Sequence, residues 1–177
     1  SHRDEMLETY RKVILQESYH SAPEEVRTMG KMFKEMFEEV GFRCKLTNVG
    51  TDESGDMLTG ILGEDRPGKP IIFGGHMDTV HKLGSFPCKF EVDDEGKVHG
   101  PGVLDMKGGI VIALYVCKAL NEIGYNSRPL KICFAPDEEK LHKHGNTADQ
   151  FLEFCKGGEF MLNMETGLPG GDLCVSR

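Results

Sequence analysis

The sequence predicts an α/β fold: a three-layer sandwich with a mixed, mostly parallel central sheet and helices on both faces. Segments with strand and helix periodicity alternate along the 177 residues, which are enough for one domain with a substantial core. Several strand-like segments are mostly apolar, as is typical of strands covered on both faces. These runs lie at 71–73, 130–135 and 160–163.

Two amphipathic helices are predicted at the start of the chain. Apolar residues recur at helical spacing over 4–17, and a second stripe extends over 26–40 before Gly41 ends it. Ser21 and Glu24 have the spacing of a capping box, in which each side chain caps the backbone of the other residue. The second helix is therefore expected to begin directly after Ser21.

Strands follow these helices. Residues 42–47 alternate between apolar and polar side chains, which indicates a half-buried strand. The next strand, 57–62, is expected to pair with 70–75 across the glycine- and proline-containing turn at 63–68. A hairpin is then predicted from 88–92 and 97–99.

The second half of the chain is predicted to alternate helix and strand. Residues 108–123 are apolar nearly all round, which indicates a helix packed on a sheet. A strand at 129–135 is followed by a helix at 147–156 with Thr147 as its N-cap, and then by a strand at 160–163.

Composition excludes several functional classes. With 21 basic and 29 acidic residues, the net charge of −8 disfavours a nucleic-acid or anionic-membrane partner. No apolar run approaches the roughly 20 residues of a membrane-spanning helix, and the polar opening is not a signal peptide. Because the sequence lacks an initiator Met, a removed leader is the alternative. The six cysteines form no Cys-x-x-Cys pair, and Cys117 and Cys133 lie in apolar runs as buried thiols. A cytoplasmic location is therefore expected.

A histidine and an aspartate follow the strand at 70–75. His76 and Asp78 are two residues apart, so in an extended segment their side chains leave the backbone on the same side. Asp78 is therefore placed to accept the spare ring N–H of a metal-bound His76.

Carboxylates follow other elements at the same predicted edge of the sheet. Glu138 and Glu139 follow one strand, Glu165 follows another, and Asp105 follows a glycine-rich break. One histidine with several carboxylates suits zinc, cobalt or manganese, and two ions about 3.5–4 Å apart would offset the repulsion between the acids. Of the adjacent pair Glu138 and Glu139, one can bind metal while the other acts as a general base.

Four motifs resemble one enzyme family. They are Gly74-Gly-His-Met-Asp-Thr-Val80, Gly100-Pro-Gly-Val-Leu-Asp-Met-Lys-Gly-Gly109, Asp137-Glu-Glu139 and Met164-Glu165. In order and spacing they are similar to the aminoacylase and glutamate carboxypeptidase family of co-catalytic di-zinc metallopeptidases, which includes enzymes of the succinyl-diaminopimelate desuccinylase kind.

This resemblance implies a role for each site residue. His76 and Glu165 would bind one metal, Glu139 would bind the other, and Asp105 would bridge the two. Asp78 would orient His76, and Glu138 would be the general base. The resemblance also implies a cis peptide bond after Asp105.

The resemblance implies a substrate class as well. Glutamate at position 165 is typical of members that act as deacylases or carboxypeptidases, whereas aspartate goes with aminopeptidases and dipeptidases. We therefore expect hydrolysis of an N-acyl amino acid or of a C-terminal peptide bond. An aminopeptidase or dipeptidase of the same superfamily is the alternative within that class.

The chain departs from the family pattern in two places. Residues 140–146 form a longer and more basic loop, in which His142 and His144 are interpreted as exposed, with surrogate metal ligands as the alternative. Residues 1–177 are expected to be the first segment of a catalytic domain. The lid and dimerisation domain, through which the full-length form would be a homodimer, and a later histidine ligand would be absent. A non-enzymatic metal-binding or interaction module is therefore the alternative outside enzymes, and an uncovered sheet edge is expected.

Overall fold

The predicted alternation of helices and strands is present in the computed structural model, which describes residues 2–86 and 88–167. Apolar periodicity accounts for the element boundaries, which lie within about three residues of the predicted ones. The elements, in chain order, are α1 (Arg3–Leu15), α2 (Pro23–Glu39), β1 (Arg43–Asn48), β2 (Asp56–Leu62), β3 (Ile71–His76), β4 (Glu91–Val92), β5 (Val98–His99), α3 (Lys107–Glu122), β6 (Leu130–Ala135), a 3₁₀ turn (Glu138–Lys140), α4 (Thr147–Cys155) and β7 (Phe160–Asn163).

The central sheet is mixed and has the strand order β1-β2-β6-β3-β7. Strand β3 is parallel to β6 and to β7, whereas β2 is antiparallel to both of its neighbours, β1 and β6. Four of these five strands therefore point in the same direction. Strands β4 and β5 form the predicted separate hairpin.

The expected pairing of 57–62 with 70–75 is wrong, because β6 lies between β2 and β3. Five of the six residues of β6 are buried, so an edge position would expose apolar surface on both of its faces. Inserting β6 between β2 and β3 covers that surface and gives β3 two parallel neighbours.

Helices cover both faces of the sheet, as predicted. Leu130, Ile132 and Phe134 of β6 belong to the main core, which also contains buried side chains of α2 and α3. The intervening Cys133 points to the opposite face and belongs to a smaller cluster against which Phe151 of α4 packs. Among the described helices, none is long and apolar enough to cross a membrane.

Two predicted helix caps are wrong. The N-cap of α2 is Ala22, and the Ser21 hydroxyl instead lies 2.9 Å from Nδ1 of His20. The N-cap of α4 is Asn146, and the hydroxyl of Thr147 donates to Oδ2 of Asp137 at 3.1 Å. The Thr147 hydroxyl is thus a donor to a buried carboxylate, in a charge-assisted hydrogen bond, and does not accept a backbone N–H group as a cap would. Cys117 and Cys133 are buried, as predicted, and Cys174 lies outside the described residues.

Candidate metal centre

His76 is the last residue of β3, and its side chain is 1% exposed. Its Nε2 atom lies 3.0 Å from Oδ1 of Asp105 and 3.1 Å from Oε1 of Glu165. The potential ligand atoms of these three residues all lie within 4.8 Å of one another. A single ring proton cannot be directed at both oxygens, whereas a cation between the three atoms would contact all of them.

Asp78 lies behind His76 and is fully buried. Its Oδ1 atom is 3.2 Å from Nδ1 of His76, and its backbone oxygen is 3.0 Å from the same nitrogen. The two carboxylate oxygens also accept hydrogen bonds from the backbone N–H groups of Glu138 (3.2 Å) and Glu139 (3.1 Å). One carboxylate thus joins the end of β3 to the 3₁₀ turn after β6.

Asp105 reaches the site from the loop before α3. Its peptide bond to Met106 is cis, as the family resemblance implied. The sulfur of Met106 accepts the backbone N–H of His76 at 3.0 Å, so the loop is held against the end of β3. The Asp105 side chain is 59% exposed and faces the open side of the site.

Glu165 follows β7, and the chain before it is held on both sides. The backbone N–H of Met164 donates to the carbonyl of Gly74 at 2.9 Å, which extends the pairing of β3 with β7. Gly109 of α3 approaches so closely that a Cβ atom there would lie 1.9 Å from the Met164 carbonyl oxygen. Packing of α3 against the end of β7 therefore sets the position of Glu165.

Glu138 and Glu139 occupy different positions relative to His76. Oε2 of Glu138 lies 3.9 Å from Nε2 of His76, at the margin of the cluster. Among the described residues, the group with mutually close ligand atoms consists of His76, Asp105 and Glu165, and Glu139 is outside it. Burial, with repulsion from Asp105, raises the pKa of Glu139 to about 7. The structure thus brings five predicted residues together and leaves Glu139 beside them.

The charge balance of the cluster fits a divalent cation. Burial alone would lower the pKa of His76, but the carboxylates of Asp78 and Glu165 outweigh it and raise this pKa to about 11. Carboxylates crowded around a buried imidazole favour any cation held between them. One imidazole with carboxylate oxygens is a donor set that suits zinc, cobalt or manganese.

Asp137 forms a second polar centre that the sequence analysis did not assign. Its carboxylate accepts the hydroxyls of Ser54 and Thr147, both at 3.1 Å, and lies 2.8 Å from Nδ1 of His142. These hydrogen bonds hold the pKa of Asp137 below its usual value although burial opposes them. Its position directly before Glu138 is the signal that the sequence offered.

A cavity of about 1040 Å³ opens beside the cluster. Its polar lining comes from the site itself and from the loop after the 3₁₀ turn, and its apolar wall comes from α4 and β7. His142 lies on the loop as predicted, lines this cavity and is partly exposed, at 32%. The lining includes His76, Asp105, Glu138, Glu139, His142, Phe151, Leu152, Met161 and Glu165.

Comparisons with known proteins point to one family. A model of the peptidase family M20/M25/M40 matches residues 72–173, more than half of the chain. Carboxypeptidase G2 of Pseudomonas sp. (strain RS-16) is 27% identical over 169 residues, which cover 94% of this chain and 40% of that enzyme. The succinyl-diaminopimelate desuccinylase of Rickettsia bellii (strain OSU 85-389) is 30% identical over 122 residues, covering 63% of this chain and 29% of that enzyme.

Solved structures share the fold at low sequence identity. Human carnosine dipeptidase 1 superposes with a TM-score of 0.81 at 19% identity, covering 94% of this chain and 39% of that one. The M20 family metallo-carboxypeptidase Sso-CP2 from Sulfolobus solfataricus gives 0.77 at 17% identity, with the same coverages. The chain therefore spans two fifths or less of the length of the relatives described here.

Proposed function

Because this chain belongs to the peptidase family M20/M25/M40, we propose that it carries part of the catalytic domain of a metal-dependent amide hydrolase. The proposed substrate is an N-acyl amino acid or a C-terminal peptide bond. The observation that carries the proposal is the convergence of His76, Asp105 and Glu165, with Glu138 at its margin. Two relatives support the substrate class by name, a carboxypeptidase and a desuccinylase.

In this proposal the carboxylates and the imidazole hold two divalent ions. His76 and Glu165 would hold one ion, Glu139 would hold the other, and Asp105 would be a ligand of both. Zinc is the expected metal, with cobalt or manganese as substitutes. When bound, the ions polarise the scissile carbonyl and stabilise the charge that develops on its oxygen.

Glu138 is the proposed general base. Its side chain is 47% exposed and lines the cavity, where water and substrate have access to it. The carboxylate takes a proton from the attacking water and returns it to the leaving amine. Asp78 fixes the backbone of Glu138 through the amide hydrogen bond and thereby sets the position from which this carboxylate acts.

Replacing Glu138 tests this assignment. Glu138→Gln keeps the size of the side chain and removes its basicity, so hydrolysis should fall by about 10²–10⁴-fold while bound zinc is unchanged. Hydrolysis of N-acyl amino acids and metal content by mass spectrometry are measured together. Glu153→Gln, at an exposed position of α4, is the matched control. An active Glu138→Gln variant, or one that loses its metal, would contradict the proposed role.

A second experiment separates this proposal from its alternatives. Hydrolysis is measured for a set of N-acyl amino acids and for a set of free dipeptides. A deacylase hydrolyses the first set, and a dipeptidase hydrolyses the second. The position of Glu139 outside the three-residue group favours weaker binding of a second ion, as in a non-catalytic metal-binding module. Two tightly bound ions together with hydrolysis support the enzyme, and one ion without hydrolysis supports the module.

A further inference from the structure

The cavity beside the metal centre contains one basic side chain that the carboxylate cluster does not use. Among the described residues that line it, the charged groups are Asp105, Glu138, Glu139 and Glu165, and the histidines are His76 and His142. His76 is held within the cluster, whereas His142 lies on the loop after the 3₁₀ turn. His142 is therefore the basic group left to meet a ligand in this cavity.

The ring of His142 is oriented by a buried carboxylate. Nδ1 lies 2.8 Å from Oδ1 of Asp137, whose side chain is 1% exposed. The other oxygen of Asp137 accepts the hydroxyls of Ser54 and Thr147, which fixes the carboxylate in turn. Because Nδ1 donates to Asp137, Nε2 remains for another partner, and no residue in the described ranges forms a hydrogen bond with it.

The backbone at His142 holds this orientation at an energetic cost. Leu141 and His142 both have positive φ angles, of 57° and 53°, in the left-handed region that residues with side chains rarely adopt. The backbone N–H groups of these residues donate to the carbonyls of Glu138 (2.7 Å) and Asp137 (3.2 Å). These bonds tie the loop to the 3₁₀ turn that carries the proposed base.

We propose that His142 is a substrate-binding residue whose Nε2–H group donates to a carboxylate of the substrate. The identification of this substrate as an N-acyl amino acid rests on the proposed function. Asp137 supports the charged form, because its hydrogen bond raises the pKa of His142 despite partial burial. Metal ions would offset the charge of the acidic cluster, which leaves the imidazolium to attract an anionic group.

Two parts of such a substrate carry a carboxylate. One is the α-carboxylate of the amino acid, and the other is the free end of a dicarboxylic acyl group such as succinyl. Both would present the same oxygens to Nε2, so the probes must separate them. N-acetylglycine carries only the first carboxylate, N-succinylglycinamide carries only the second, and N-acetylglycinamide carries neither.

Binding of these three probes to the zinc-loaded 177-residue chain tests the proposal by calorimetry. His142→Gln keeps an N–H donor but loses the charge, so affinity for at least one carboxylate probe should fall about tenfold or more. Affinity for the neutral probe should not change. His144→Gln is the matched control, because His144 lies two residues away, pairs with Glu53 and lines a different cavity.

Ring signals of His142 in the wild-type chain provide a test that does not depend on the variant folding. The probe whose carboxylate binds at this position, N-acetylglycine or N-succinylglycinamide, should shift the Cε1–H resonance of His142. N-acetylglycinamide, which has no carboxylate, should not shift it. If His142→Gln lowers the affinity for all three probes equally, the proposal is overturned in favour of a structural role for His142. Unchanged affinity, or wild-type protein that binds neither carboxylate probe, would also overturn it. Binding that depends on His142 without hydrolysis would refute the proposed function alone.

Discussion

Asp78 shows how one side chain outside the ligand set controls the site. Its carboxylate contacts the imidazole of His76 and two backbone N–H groups of the 3₁₀ turn, while being fully buried itself. A buried carboxylate that accepts several N–H groups orders the groups that donate to it. The residue thereby couples the position of a proposed metal ligand to the position of the proposed base.

Asp78→Asn should weaken both functions of this carboxylate. One oxygen becomes an NH₂ group, so one backbone N–H loses its acceptor, and the free energy of unfolding should fall by about 1–3 kcal/mol. Zinc affinity should fall by about 10–100-fold, because His76 loses its charged partner. Urea unfolding and zinc competition against a chelator provide these values. Asp94→Asn, in the exposed β4–β5 turn, is the control, and unchanged zinc affinity in Asp78→Asn would contradict the coupling.

At the scale of the element, the start of α3 is shaped by its contact with the end of β7. Gly109 lies in the first turn of α3, where glycine costs about 1 kcal/mol relative to alanine. The Met164 carbonyl occupies the space that a Cβ atom would need. Glycine at this position allows the close packing that sets the position of Glu165 relative to Asp105.

Gly109→Ala should therefore destabilise the protein although alanine is the better helix former. A Cβ atom placed against the Met164 backbone should lower the free energy of unfolding by about 1–3 kcal/mol and weaken zinc binding by moving Glu165. Ala119→Gly, at an exposed position of α3, should cost about 0.5–1 kcal/mol and leave zinc binding unchanged. Thermal unfolding and zinc titration of both variants would separate the two effects, and a more stable Gly109→Ala would refute the packing argument.

The helices and strands were predictable from the sequence where they depend on patterns among residues close together in the chain. Apolar periodicity located the helices and strands, and the residues that end the strands were predicted to share one edge, where the structure places His76, Glu138 and Glu165. Strand order was not predictable, because insertion of β6 between β2 and β3 depends on covering both faces of β6. The orientation of His142 was not predictable either, because it depends on a buried Asp137 and on two unusual backbone angles.

At the scale of the whole molecule, the two outer strands of the central sheet differ in character. Strand β1 carries the exposed charged residues Arg43 and Lys45, which discourage pairing with another strand. The opposite outer strand, β7, presents Phe160, Met161 and Leu162, each between 45% and 49% exposed. The uncovered edge expected from the sequence is therefore the β7 edge, within the part of the chain that the structure describes.

The 177-residue chain should self-associate through β7. Phe160→Lys places a charge on this edge and should shift sedimentation towards the monomer, because a buried lysine in a strand–strand contact is costly. Ile123→Lys makes the same apolar-to-lysine change at an exposed position after α3, away from β7, and should leave that association unchanged. Sedimentation velocity over a range of protein concentrations measures both. Association that is insensitive to Phe160→Lys would exclude this edge as the contact.

The parallel pairing of β3 has a consequence for the order in which the chain acquires its structure. Ile71 pairs with Leu130 on one side and with Phe160 on the other, so both contacts close long loops before they gain any stability. The carboxylates near Nε2 of His76 come from three separate parts of the chain. Asp105 precedes α3, Glu138 follows β6 and Glu165 follows β7. A cation therefore finds its full set of donors only late in folding, and it should act mainly by slowing unfolding rather than by speeding folding.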